Sequence, residues 1–144
     1  MKFTSFAASL ALVLLPVHTG AVQLQYDNAY DNAGQSMLTV ACSDGANGLA
    51  SRFPTFGSVP IFPHIGASDA VEGWNSVNCG ACFQVTYTNA QGQSKSINVL
   101  AIDHAGSGFN VAQAAMDELT GGQAVALGNI DVQSTRVASS ACGL

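Results

Sequence analysis

Four cysteines and nine carboxylates carry most of the chemistry open to this chain. Cys79-Gly-Ala-Cys82 is a C-x-x-C. Redox use of that motif sets the first cysteine at a helix N-terminus, where the dipole lowers its pKa. Here the motif runs into a strand-forming stretch instead. A four-cysteine zinc site asks for a second C-x-x-C, and the sequence has only this one. An even count of cysteines in a small exported chain reads as two disulfides among Cys42, Cys79, Cys82 and Cys142. Four cysteines allow three pairings, and spacing does not choose among them. Pairing Cys42 with Cys79 and Cys82 with Cys142 would close two long loops, each worth about 4 kcal/mol in the chain-entropy model.

Asp103 is the carboxylate best placed for a role. It follows a predicted strand and precedes Ala105-Gly-Ser-Gly108, and a strand end beside a glycine-rich loop is a usual place for a site. It would act as a general acid or accept from a sugar hydroxyl; the plainer reading is a turn residue bonding its own loop. Glycoside hydrolysis needs a second carboxylate across the scissile bond. The supply is Asp27, Asp31, Asp44, Asp69, Glu72, Asp103, Asp117, Glu118 and Asp131, and no close pair emerges from spacing. Asp117 and Glu118 fall late in a predicted helix and are expected to be solvated; Asp44 reads as a helix cap. No Gly-x-Ser-x-Gly is present for a nucleophilic triad. His64 and His104 follow no ligand spacing, so no metal is predicted. Gly106-Ser-Gly108 is no phosphate loop, because no Lys-Ser/Thr follows, and no cofactor is expected. Tyr26 and Tyr30 could stack on sugar rings, whereas Trp74 and Phe109 read as core.

Met1-Lys2, the uncharged run Phe6–Leu15, Pro16 and the small residues Thr19-Gly20-Ala21 form the three-part pattern of a secretory signal. The run is too short for a span of about 20 apolar residues. Residues 1–21 are therefore expected to be cleaved, leaving one domain, residues 22–144, of ordinary size. Arg52, Lys95 and Arg136 then stand against nine acids, a net charge of −6. No basic patch is available for phosphates, which excludes nucleic acid as a partner. No second apolar run of spanning length occurs, so no membrane anchor is predicted, and no N-glycosylation sequon occurs.

Period-two alternation predicts a strand at Phe83–Thr88, a turn at Asn89–Gly92 and a second strand at Ser94–Ile102, together a hairpin. Ile130–Val137 reads as a further strand; Leu24–Tyr26 and Leu38–Ala41 are weaker ones. Asn110 with Gln113 three residues on suggests a capping box for a helix over Val111–Leu119, stopped by Gly121-Gly122. A shorter helix is predicted over Ala46–Phe53, capped by Asp44. Pro54–Pro63 must be irregular. Strands with two short helices suit a small closed barrel.

Tyr26-Asp27 opens a series of matched positions. Ser36-Met37, Val40-Ala-Cys-Ser-Asp-Gly45 and Gly48-Leu49 follow, then Phe53-Pro-Thr-Phe-Gly57, Val59-Pro60, Phe62-Pro63 and Gly66. Gly73-Trp74, Ser76, Cys79-Gly-Ala-Cys82, Asp103, Gly108-Phe-Asn110 and Cys142 complete it. From Tyr26 to Cys142 the chain resembles the cerato-platanin family of small secreted fungal proteins. The resemblance implies a mostly β fold, a six-stranded double-ψ β-barrel related to expansin and barwin domains. It also implies the pairing Cys42–Cys79 and Cys82–Cys142. It further implies a non-catalytic protein of the fungal wall and medium, perceived by plants as an elicitor through a host receptor. The resemblance likewise implies binding of chitin or N-acetylglucosamine oligomers in a shallow groove, and loosening of cellulosic material without clear hydrolysis. Asp103 stands in the place of the groove aspartate, Asn110 in that of the groove asparagine, and Tyr26-Asp27 matches the opening pair. Asp27, Asp103 and Asn110 are thus expected to bond sugar hydroxyls or acetamides, with Tyr26 or Tyr30 stacking. The pattern departs at His104-Ala105, where small Ser-Gly is the expectation, and an imidazole there would narrow or re-aim the groove. It departs again at Ser134-Thr-Arg-Val137. Two other readings stay open: a weak endoglucanase-like hydrolase with Asp103 as acid, and an interface-active protein recognised by a host receptor.

Overall fold

The computed structural model describes residues 20–144. The expected leader therefore lies almost wholly outside the described residues. Six strands close into a barrel: β1 (Val22–Tyr26), β2 (Ile65–Ser68), β3 (Cys82–Thr88), β4 (Ser94–His104), β5 (Phe109–Val111) and β6 (Asn129–Val137). Around the barrel the order is β1-β5-β2-β4-β3-β6, with β6 returning to β1. The pairs β1–β5 and β2–β4 are parallel, and the other four pairs are antiparallel. Closure leaves no free sheet edge. Two helices, α1 (Gln113–Thr120) and α2 (Ala124–Leu127), lie between β5 and β6. This is the six-stranded barrel that the resemblance implies, and it carries two disulfides.

The β3–β4 hairpin forms where alternation predicts it, in register from Cys82 opposite Leu100 to Thr88 opposite Ser94. Asn89 builds the turn: its Oδ1 accepts from the amides of Gln91 and Gln93, at 3.0 and 2.9 Å. The core is filled by Leu24, Ile65, Val85, Val99, Leu100, Ile102, Val111 and Val132, all buried. Each such side chain contributes about 2 kcal/mol of transfer free energy. β2 needs its glycine: a Cβ on Gly66 would lie 2.4 Å from the Asn110 carbonyl oxygen and 2.6 Å from Val111 Cα.

Four expectations are corrected. Residues 109–111 form β5, not the start of a helix, because their backbone groups pair with β1 and β2. Helix α1 begins two residues later than expected, at Gln113 after Ala112, whose side chain makes no capping bond. Asp31 supplies the cap from a distant segment, its carboxylate accepting from Gln113 N at 2.8 Å and Ala114 N at 3.0 Å. Leu38–Ala41 is not a strand: Met37–Thr39 makes a 3-10 turn capped by the Ser36 hydroxyl. Ala46–Phe53 is a series of turns laid back on the cysteine segment, with Leu49 N bonded to Cys42 O and Ala50 N to Ser43 O. Asp44 therefore caps nothing. Asp117 is half-buried rather than solvated, whereas Glu118 is exposed as expected. Asp117 Oδ1 receives Ala124 N and starts α2, while Glu118 meets His64 Nε2 at 2.5 Å.

Candidate functional site

Cys79 pairs with Cys42 and Cys82 with Cys142, so the C-x-x-C is split between two bridges. Neither a dithiol nor a thiolate metal site can be made from it. Among the described residues no group of three or more His, Cys, Asp and Glu side chains is gathered to hold a metal.

Asp103 sits half-buried near the end of β4 and accepts three hydrogen bonds. Its Oδ2 receives the Tyr30 hydroxyl at 2.8 Å, and its Oδ1 receives Ala41 N at 3.0 Å and His104 N at 2.9 Å. Tyr30 belongs to a 3-10 turn, Asn28–Asp31, opened by Asp27, whose Oδ1 accepts from Ala29 N at 2.8 Å. Burial is the largest influence on the Tyr30 phenol, followed by the hydrogen bond to Asp103 and the charges of Asp103 and Asp27. All raise it far above the ordinary range for tyrosine, so Tyr30 remains a proton donor to Asp103 at every physiological pH. Asp27, Tyr30 and Asp103 share one open concavity of about 290 Å³, with Thr39 and Val40 on its wall.

Asn110 lies in an adjoining concavity of about 500 Å³, with Gln23, Gln25, His104 and Ala105. Between the strands that carry Asp103 and Asn110 runs β2. Ala67 is paired on one side with Asp103 and on the other with Asn110, and Asn110 is paired in turn with Gln25 of β1. Small, buried Ala67 thus runs between two polar side chains. Asn110 Oδ1 is buried there without a hydrogen-bond partner. His104 contributes to the second hollow but is tied back, its Nδ1 within 2.6 Å of the Val71 carbonyl oxygen.

Of the five carbohydrate-site residues expected from the sequence, Asp27, Tyr30 and Asp103 are therefore brought together, and Asn110 lies two strands away from Asp103, across β2. Tyr26 ends β1 half-buried against the core and is not among the residues lining the two hollows. Tyr30 has no face to offer a sugar: its ring is 7% exposed and packs on Phe56, with centroids 6.1 Å apart. Phe109 is core, as expected, edge-on to Phe83 at 5.4 Å. Trp74 is not core. It is 63% exposed, and its indole N–H donates to Asp44 at 2.7 Å.

A closed six-stranded barrel stapled by two disulfides, with polar hollows on its surface, defines a small disulfide-bonded β-barrel module. The chain belongs to the cerato-platanin family, whose model matches residues 22–144. It is 51% identical over 148 residues to the allergen Asp f 15 homolog of Arthroderma benhamiae, covering 99% of this chain and 70% of that protein. The fold is similar to the crystal structure of cerato-platanin 2 from M. perniciosa, at 70% identity and a TM-score of 0.84, covering 87% of this chain and 100% of that one. It is also similar to the solution structure of the fungal elicitor cerato-platanin, at 38% identity and a TM-score of 0.73, covering 84% and 96%. Among the described residues no helix is long and apolar enough to cross a membrane.

Proposed function

We propose that this chain is a secreted, non-catalytic protein of the fungal wall and medium that binds chitin-type oligosaccharides along the Asp27–Asp103–Asn110 groove and is perceived by plants as an elicitor. The observation that supports a sugar ligand is the set of polar side chains, Asp27, Asp103 and Asn110, that line two open hollows. Hydroxyls and acetamides both serve such groups, so the chitin class is taken from the family resemblance. Asp27 stands exposed to accept from a sugar hydroxyl. The elicitor reading is supported by the name carried by a relative of the same fold.

Three donors already converge on Asp103. It is better suited to fixing Tyr30 and the Ala41 segment than to handing a proton to a leaving group, which favours binding over hydrolysis. Each net hydrogen bond is worth about 1 kcal/mol, and the groove is open, so affinities on the order of micromolar to millimolar are expected. The test is a titration of the oxidised protein with chitin oligomers, followed through the backbone amides by NMR. Saturable shifts at Asp27, Asp103 and Asn110, weakened in folded Asp103→Ala and Asn110→Ala variants, support the proposal. Amides unmoved at millimolar ligand, or an affinity unchanged in both variants, overturn it.

A further inference from the structure

The chain's only tryptophan is held out in solvent by a dedicated set of bonds. Trp74 Nε1 donates to Asp44 Oδ1 at 2.7 Å. The next residue, Asn75, clasps the same loop twice: its Oδ1 accepts from Asn47 N at 2.8 Å and its carbonyl from Asn47 Nδ2 at 3.0 Å. To do so Asn75 takes φ +60°, alone among the described non-glycine residues in having positive φ. The indole also lies close over Gly45, where an added Cβ would come within 3.1 Å of Trp74 Cζ2. The Cys42–Cys79 bridge fastens the two loops at their base.

Trp74 nevertheless stays 63% exposed, so hydrophobic gain accounts for little of this restraint. The restraint fixes an exposed aromatic face beside an exposed carboxylate. Next to it is a hollow of about 390 Å³ lined by Ser36, Leu38, Ser43, Asp44, Gly45 and Gly48. An indole face matches the apolar C–H face of a pyranose whose hydroxyls are equatorial, while Asp44 and the serines match the hydroxyl rim. The indole N–H, foremost, holds the Asp44 carboxyl below the usual range, and so keeps it an acceptor.

We infer that Trp74 and Asp44 form a second saccharide site, separate from the Asp103 groove, that stacks one ring of a β-1,4-linked pyranose chain. The segment Ser36–Asp44 lies between the two sites: Thr39 and Val40 line the groove, and Ser36, Leu38, Ser43 and Asp44 line the second hollow.

A single tryptophan gives a single indole N–H signal, which makes the test direct. The 15N-labelled protein is titrated separately with cellohexaose and with the N-acetylglucosamine hexamer. A saturable shift of the indole signal with either sugar, persisting in a folded Asp103→Asn variant, is expected; which sugar acts tells whether the acetamide matters. In parallel, Trp74→Ala should weaken retention on chitin or cellulose beads about tenfold, the scale of one lost aromatic contact, with an unchanged melting temperature. An indole signal that stays fixed at millimolar concentrations of both sugars overturns the inference. So does a response that vanishes in Asp103→Asn, because the two sites would then be one.

Discussion

Tyr30 and Asp103, 73 residues apart in sequence, are joined by a 2.8 Å hydrogen bond from the phenol to the carboxylate. The same carboxylate holds the amide of Ala41, so one side chain ties the Asn28–Asp31 turn, β4 and the segment leading to Cys42. Removing the hydroxyl tests that joint. Tyr30→Phe should cost about 1.5–3 kcal/mol, the range for hydrogen bonds to charged groups, read from urea unfolding. An unchanged midpoint would mean that the bond adds no stability.

The same phenol sets an alkaline limit. Its folded pKa is raised above the ordinary 10.0, by burial first and Asp103 second. The unfolded chain therefore loses this proton before the folded one does, and stability falls as pH rises from about 10. Unfolding free energies between pH 9 and 11.5 should slope downward, and Tyr30→Phe should flatten the slope even though it lowers the starting value. A slope unaffected by the substitution would place the titration on another group.

Asp31 starts α1 from outside the helix. Asp31→Ala should cost about 1–2 kcal/mol, as for the loss of a helix cap. Faster hydrogen exchange at Gln113 and Ala114 would localise the loss, and protection unchanged at both amides would count against the cap.

Gly66 is where β2 passes the β5 backbone too closely for any side chain. Gly66→Ala should destabilise by about 3 kcal/mol, at the upper end of overpacking, and should shift the Asn110 amide in NMR spectra. A variant as stable as the parent would mean that β5 can move aside freely.

The elements legible in the sequence are those with local causes. The β3–β4 hairpin shows its alternation and its turn, and β6 shows a sustained run. β2 gives no such signal, because all four of its residues are buried and both of its partner strands lie far along the chain. Asn110 and Gln113 have the spacing of a capping box, yet β1 and β2 claim the Phe109–Val111 backbone, and the true cap comes from Asp31. Tertiary pairing overrides a local signal there. In the groove, Asp103 and Asn110 are legible through the family resemblance, and Asp103 also through its place at a strand end. Their common neighbour Ala67 carries no chemical signal that a sequence could show. Trp74 reads as core for the same kind of reason: its partners Asp44 and Gly45 are some thirty residues upstream.

The two disulfides follow one another without interlacing: the first ring closes at Cys79 and the second opens at Cys82. A single cut by a protease inside either ring leaves every residue still covalently attached to the rest. Between the rings, only a cut in the short joint through Gly80 and Ala81 would divide them. That joint is woven into the sheet, with Gly80 N bonded to Ala101 O and Ala101 N to Ala81 O. The molecule can thus be nicked once in either ring and remain one object.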